Sequence, residues 1–457
     1  MKLSIDEIVK CVGGRLSKEI NIQLLAEGVS TDTRNLKKGE LFVPLAGERF
    51  DGHSFAKIAE ENGALVSFWD KTKPVPAGVN MPLILVEDTL TALQHLAKYY
   101  RDKVNPIVIG VTGSNGKTTT KDLITAIIST KYKVHKTVGN LNNHIGLPLT
   151  LLSMPADTEV AVAEMGMSNK GEIEFLSAIV QPDIAVVTNI GESHLEFLKS
   201  RENIAKAKLE ILKGLKADGW VVLLGDEPLL RQEMTGFIKK YKVRWVGKSK
   251  QNDNFPINIE LDTDEIRFTD INGDSYRAAL LGIHNVINTL IAIEVGKILN
   301  ISVKDTNKAL SAVQLTGMRL EKMTAKNGSI ILNDAYNASP TSMSAGLSLL
   351  ASLNNYNKKI AVLGDMLELG KKAETYHREI GEFCSKLKLN LLITTGKLGK
   401  WIADAAREGG MNENKVYYIE DLNKIADLLL NNSDSDTIIL VKGSRGVKLE
   451  KLINELI

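Results

Sequence analysis

The apolar stretch Ile107-Val108-Ile109-Gly110-Val111 runs straight into Thr112-Gly113-Ser114-Asn115-Gly116-Lys117-Thr118-Thr119, and Leu123, Ile124, Ile127 and Ile128 then follow at helical spacing. No other part of the chain restricts the fold so tightly. A continuous apolar run of this length predicts a strand covered on both faces, and such strands belong to parallel sheets whose crossovers are helices. Glycines between the strand and the helix let backbone N–H groups turn inward at the helix N-terminus, where the dipole favours anions. Thr112, Gly113, Ser114, Asn115, Gly116, Lys117, Thr118 and Thr119 are therefore candidate contacts to the phosphates of ATP. Lys117 would reach the terminal phosphates, and Thr118 would offer its hydroxyl to Mg²⁺. The strict loop pattern wants glycine where this chain has Val111, so the match is to a variant.

The same texture recurs on both sides of the loop. Further apolar strands are expected at Val160 to Ala163, Ile184 to Thr188 and Trp220 to Leu224, then at Ser329 to Leu332, Ile360 to Leu363, Leu391 to Thr394 and Thr437 to Val441, each separated by helical patterns. With 457 residues, more than one hydrophobic core usually supports, this predicts an α/β protein of three domains. They are a small N-terminal α/β unit (1–105), a central phosphate-loop domain with a mostly parallel sheet (106–316), and a C-terminal Rossmann-like domain (317–457). The polar stretch Gln251 to Ser275 reads as a short antiparallel excursion. A net charge of +2 leaves no global field for nucleic acid or an anionic membrane, so any anion site must be local. The two cysteines, Cys11 and Cys384, are too few and too far apart for a disulfide scaffold or a zinc site. No apolar run is long enough to span a bilayer, and a cytoplasmic location is expected.

Several side chains carry chemistry by their position. Glu164 ends an apolar strand, where one carboxylate can anchor Mg²⁺, an ion that takes few protein ligands. His194 follows the strand at 184–188, at the carboxyl edge where open α/β sheets bind ligands. On a helix expected over Arg201 to Leu215, Ile204, Ile211 and Leu215 share a face with Lys208, while Lys206 points away. A lysine in an apolar stripe must snorkel, pair with an acid or lose its charge. His284, Asn285 and Asn288 stand near a helix start, where amides can read adenine or simply cap the helix. Asp334 and Tyr336 follow the strand at 329–332 and are suited to ribose and adenine, although packing alone also explains the ring.

The loop at Thr112 to Thr119 resembles that of the Mur ligases and their folylpolyglutamate synthetase relatives. So do Ala163-Glu164-Met165-Gly166, Asn189-Ile190-Gly191-Glu192-Ser193-His194, Gly282-Ile283-His284-Asn285 with Asn288, and Asp334-Ala335-Tyr336-Asn337-Ala338. Ser30-Thr31-Asp32-Thr33-Arg34, Leu41 to Phe55, Gly139-Asn140-Leu141-Asn142-Asn143 and Gly364-Asp365-Met366-Leu367-Glu368-Leu369-Gly370 resemble the branch of that family that works on UDP-linked peptides. One departure is Ser339, where that branch commonly has asparagine. The resemblance implies an ATP- and Mg²⁺-dependent ligase of peptidoglycan precursor synthesis, acting as a monomer through an acyl phosphate. Its implied substrates are UDP-N-acetylmuramoyl-tripeptide and D-alanyl-D-alanine.

The resemblance also assigns roles. Lys117, Glu164, His194 and Lys208 are the implied catalytic set. Lys208 takes the place of a carbamylated lysine, and as a carbamate it would join Thr118, Glu164 and His194 around the metal. Arg319 is implied to reach the γ-phosphate on closure. Ser30, Thr31, Asp32, Arg34, Arg49, Asp51, Gly52 and His53, with Asn140, Asn142 and Asn143, are implied to hold the UDP-linked substrate. Lys442-Gly443-Ser444-Arg445-Gly446 looks like a contact for a peptide carboxylate. The rival within the family, a ligase adding one diamino acid to a shorter UDP-muramoyl dipeptide, typically carries Asp-Asn-Pro-Arg in its third domain, and this chain lacks that tetrapeptide. A non-catalytic nucleotide-binding module would need the loop without Glu164, His194 and Lys208.

Overall fold

The computed structural model describes residues 1–47, 50–262 and 264–457. Its first hundred residues form a five-stranded sheet in the order Arg15–Leu16, Leu83–Val86, Val66–Asp70, Leu41–Phe42, Val29–Ser30, parallel except at its first pair. Helix Thr89–Val104 starts where the Asp88 side chain accepts the Thr91 N–H and ends at Asn105 in the left-handed conformation, directly before Pro106. Asparagine tolerates that backbone and proline cannot continue a helix, so the stop is written locally. Its buried face, including Leu93, Leu96 and Tyr100, belongs to a core that continues onto one face of the next sheet.

That next sheet is entirely parallel. Its order is Lys242–Val246, Trp220–Leu224, Ile184–Val187, Ile107–Thr112, Val160–Glu164, Val134–Lys136. The strand leading into the phosphate loop lies inside it, with the chain's later strands on either side. Open α/β sheets bind ligands at the carboxyl ends beside such a switch in direction. Alternate residues face opposite ways: Val108 and Ala161 face the core shared with the first unit, whereas Ile109, Val111 and Val162 meet helices Lys117–Ile128 and Ile283–Ile298. The expected antiparallel excursion consists of Pro256–Leu261, Ile266–Asp270 and Ser275–Ala278, shifted toward the C-terminus. Phe268, Tyr276 and Ala278 alternate inward onto the same core and fix its register.

The last sheet has the order Glu321–Thr324, Ile330–Asp334, Thr437–Lys442, Lys358–Leu363, Leu391–Thr394, Val416–Tyr418, antiparallel only at its first pair. Apolar residues cover both of its faces. Two expectations need correction. Asp334 is the final residue of its strand, in register with Lys442, rather than a residue beyond the strand. The helix expected over Arg201 to Leu215 stops at Leu209 and tightens into a 3-10 turn, Glu210–Lys213. The Glu210 carboxylate there accepts the Gly171 N–H at 2.9 Å, capping the neighbouring helix Glu172–Val180. Among the described residues no helix is long and apolar enough to cross a membrane.

Candidate active site

At the carboxyl end of the second sheet the chain turns at Gly113 (φ 149°) and Gly116 (φ 79°) and enters helix Lys117–Ile128. Both positions demand glycine, because a Cβ at Gly113 would lie 1.9 Å from Thr188 Oγ1 and one at Gly116 would lie 2.6 Å from Asn288 Oδ1. The loop is braced from the adjacent strand end. Asn189 Oδ1 accepts the Asn115 N–H at 2.8 Å, the Asn189 carbonyl accepts the Ser114 N–H at 3.1 Å, and Thr188 Oγ1 donates to the Asn115 carbonyl at 2.5 Å. Lys117 Nζ donates to the Gly113 carbonyl at 2.7 Å, folded over the cradle a phosphate would fill. Burial lowers its pKa, with Glu164 acting the other way and Arg319 adding to the fall.

A cavity of about 770 Å³ opens from this loop and is walled by Lys117, Glu164, His194, His284, Asn285, Asn288, Arg319, Asp334, Tyr336 and Lys442 among others. Glu164 is 2% exposed; its Oε1 accepts from Asn142 Nδ2 at 2.9 Å, while its Oε2 carries no hydrogen bond. The Lys121 ammonium stands 3.9 Å from that oxygen, and a buried carboxylate oxygen without a hydrogen bond is a ligand suited to a hard cation such as Mg²⁺. No preformed cage surrounds it, since among the described residues no three His, Cys, Asp or Glu side chains gather as a metal site. Thr118 Oγ1 accepts from the Arg319 guanidinium at 3.0 Å. His194, in the left-handed conformation, has its Nδ1 2.6 Å from Glu368 Oε2, off the line of a ring N–H bond. That contact holds the Glu368 carboxyl below its usual range.

Lys208 is not one of the cavity's lining residues, although Lys117, which is one, lies close enough to act on its charge. It is 1% exposed, in one stripe with Ile204 and Ile211, and among the described residues no carboxylate pairs with it. Burial, with Lys117 nearby, drives its pKa well below the ordinary lysine value. Lys206, on the opposite face, reaches toward Glu233 at 3.9 Å.

The purine side is built by the start of helix Ile283–Ile298. Asn285 Nδ2 donates to the Leu281 carbonyl and Asn288 Nδ2 to Asn285 Oδ1, at 2.8 and 2.9 Å, so the two amides fix each other. His284 is half-buried, its buried Nδ1 carries no hydrogen bond, and desolvation lowers its pKa to about 4, leaving a neutral ring at neutral pH. Across the cavity the Arg319 guanidinium stacks 4.2 Å over the Tyr336 ring, and Lys442 Nζ meets Asp334 Oδ2 at 2.5 Å. Ser339 begins helix Pro340–Ser352 and donates through Oγ to Asn115 Oδ1 at 3.1 Å, so the serine that departs from the common asparagine still touches the phosphate loop. A second cavity of about 610 Å³ shares His194, Tyr336 and Asn337 with the first and is closed by Asn140, Glu368, Ser444 and Arg445.

The first-unit residues are not brought into either cavity, all of whose lining residues lie between Ser114 and Gly446. Ser30 Oγ donates to the Asp32 carbonyl, and Asp32 accepts from Arg34 Nε at 2.9 Å, an exposed fork that lowers the Asp32 pKa to about 2. Thr31 lies between them at the end of strand Val29–Ser30. The turn around Gly52 is tight, with a Cβ there 2.7 Å from the Leu45 backbone. His53 is buried, packs edge-on against Trp69 at 4.7 Å and has its Nδ1 2.6 Å from Asp51, so its ring is engaged within the unit. Arg49 lies outside the described residues. Asn143 caps helix Gly146–Leu152 by accepting the Gly146 N–H at 2.8 Å.

Sequence reasoning missed the braces: Asn189 under the loop, Thr341 donating to Glu192 Oε2 at 2.7 Å, Glu368 beside His194, and Asp122 on the phosphate helix, holding Thr316. Asn189 and Glu368 stood in motifs already singled out; their partners are remote in sequence and left no local signal.

Comparison with known proteins agrees along the whole length. The Mur ligase family catalytic domain matches residues 26–101, the Mur ligase middle domain 111–296, and the Mur ligase glutamate ligase domain 318–445. The chain is 48% identical over 459 residues to the UDP-N-acetylmuramoyl-tripeptide--D-alanyl-D-alanine ligase of Bacillus subtilis (strain 168), covering 100% of this chain and 99% of that protein. Among solved structures, MurF from Acinetobacter baumannii superposes with a TM-score of 0.89 at 30% identity, covering 100% and 99% of the two chains. MurF ligase from Thermotoga maritima in complex with ADP does so with a TM-score of 0.81 at 28% identity, covering 94% and 97%. With its phosphate loop, its three sheets and its full-length relatives in agreement, the chain belongs to the Mur ligase family.

Proposed function

We propose that this protein is an ATP-dependent ligase that adds D-alanyl-D-alanine to the free carboxylate of UDP-N-acetylmuramoyl-tripeptide, completing the peptide of a peptidoglycan precursor. The observation that carries this reading is the 48% identity to a ligase of that name over nearly the full length of both chains, because the likeness runs through all three units and not the phosphate loop alone. In the reaction the carboxylate oxygen attacks the γ-phosphorus and ADP leaves. The dipeptide amine, having lost its proton, then attacks the acyl carbon, and phosphate departs with one oxygen of the original carboxylate. Both steps concentrate negative charge, so the protein's task is to position the groups and balance that charge.

The residues divide that work. Backbone N–H groups of Gly113 to Thr119 and the Lys117 ammonium hold the β- and γ-phosphates, while Arg319 steadies the γ-phosphate from the third sheet. Asn285, Asn288 and His284 flank adenine, Tyr336 covers it and Asp334 takes the ribose. Mg²⁺, when bound, would offset the phosphate charge, with the free Glu164 oxygen, Thr118 and His194 as its protein ligands. Lys208 is a buried amine whose surroundings favour the uncharged form, the form that takes up CO₂; as a carbamate it would put an anion where an ammonium would repel the metal. Ser30 to Arg34, Arg49 to His53 and Asn140 to Asn143 hold the UDP-linked peptide, and Arg445 faces the dipeptide carboxylate from the second cavity. The units divide at 105/106 and 316/317, and the enzyme works as a cytoplasmic monomer, where ATP and a UDP-linked substrate are both at hand.

The direct test incubates purified protein with ATP, Mg²⁺ and UDP-N-acetylmuramoyl-tripeptide and measures phosphate release with D-alanyl-D-alanine, D-alanine or a diamino acid. Release dependent on the dipeptide is expected; release with a diamino acid alone, or none with the dipeptide, contradicts the assignment.

A further inference from the structure

The segment joining the second and third sheets is tied twice to one face of the phosphate helix. Asp122 Oδ2 accepts both the Thr316 backbone N–H and the Thr316 hydroxyl, each at 2.8 Å. Three residues on, the Arg319 guanidinium donates to Thr118 Oγ1 at 3.0 Å. Residues 118 and 122 are four apart on helix Lys117–Ile128 and so stand one above the other. Between and beside the two ties the backbone is forced, with Met318 at φ 60° and Leu320 at φ 53°, left-handed values that cost a side-chain-bearing residue about 1 kcal/mol or more. Such a conformation persists only where its surroundings over-determine it.

Asp122 is built to be one of those fixed points. It is 2% exposed, yet it lines neither cavity. Its other oxygen is held by Lys136 Nζ at 2.6 Å, with Lys121 Nζ 3.6 Å away. Lys121 is in turn wholly buried and donates to the Thr137 carbonyl at 3.0 Å. A carboxylate clamped from behind by two cations keeps its remaining oxygen aimed at residue 316.

We propose that Asp122 is a positioning residue for the ligation, pinning Thr316 so that the turn through Met318 delivers Arg319 onto the phosphate loop. This rests on the ligase reading above. Asp122 touches no reacting atom; it acts through Arg319, which the reading above places on the γ-phosphate, the group ADP lacks. The pin therefore separates turnover from nucleotide affinity.

The experiment compares Asp122→Asn and Thr316→Val, alone and in an Arg319→Ala background, by dipeptide-dependent phosphate release and by calorimetric ADP binding. Each single variant is expected to lose about tenfold or more in turnover, with ADP affinity changed by less than about threefold. In the Arg319→Ala background the same substitutions should cost nothing further, since their effect passes through that guanidinium. Asp122→Asn takes this counter-charge from the buried Lys121 and the half-buried Lys136; if it does not fold, Thr316→Val carries the test, because it removes one hydroxyl bond and leaves the N–H bond intact. Wild-type turnover in Thr316→Val, or an undiminished loss in the Arg319→Ala background, would overturn the proposal. The wild-type arm separates the two claims: absence of dipeptide-dependent turnover overturns the ligase reading and the pin with it, whereas an active wild type with unaffected variants overturns only the pin.

Discussion

Lys208 shows how a single side chain acquires chemistry from its surroundings. Its burial was legible in sequence, because Ile204 and Ile211 at helical spacing bracket it, and the side chain indeed lies within that stripe. Its electrostatic partner was not legible: Lys117, ninety-one residues away in sequence, adds like-charge repulsion to the cost of burial. If the buried amine works as a carbamate, Lys208→Ala should lower turnover by more than about a hundredfold, and millimolar acetate or bicarbonate should restore part of it by supplying an anion to the vacated space. Full activity in the variant, or loss with no response to any small anion, contradicts that role. His53 teaches the opposite lesson. A polar turn reads as a set of free donors, but only the fold shows that the ring packs on Trp69 and that Asp51 is already engaged with His53 and Lys73.

At the scale of elements, the phosphate loop is governed by what lies behind its glycines. Gly113 combines φ 149° with Thr188 pressed against its missing side chain, so Gly113→Ala should destabilise the fold by about 1–3 kcal/mol and weaken ADP binding, read by thermal unfolding and calorimetry. An unchanged melting temperature with unchanged ADP affinity would show that the loop is looser than the contact implies. The strands were legible because a parallel sheet covered on both faces makes nearly every residue apolar, as at Ile184–Val187 and Thr437–Lys442. The end of the helix after Leu209 was not, since its apolar spacing continues through Ile211 and Leu215. What tightens it there is the Glu210 carboxylate capping a different helix, and periodicity carries no trace of such a partner.

The whole molecule is a third sheet seated over a phosphate loop. The seat is made by contacts between residues far apart in the chain: Ser339 on Asn115, Thr341 on Glu192, Glu368 beside His194 and Arg319 on Thr118. These contacts join the two nucleotide-facing sheets around one cavity, the arrangement a two-step acyl transfer needs if water is to be excluded. Sequence motifs identified both halves but could not show which side chains meet, because each pair is separated by more than a hundred residues. The ligation turns on the substrate carboxylate being phosphorylated, after which the amine displaces the phosphate. The most direct measurement labels both oxygens of the reacting UDP-N-acetylmuramoyl-tripeptide carboxylate with ¹⁸O and analyses the released phosphate by mass spectrometry during D-alanyl-D-alanine-dependent turnover. Phosphate carrying one ¹⁸O per molecule is predicted; phosphate free of the label, formed while the amide product accumulates, would rule out an acyl phosphate.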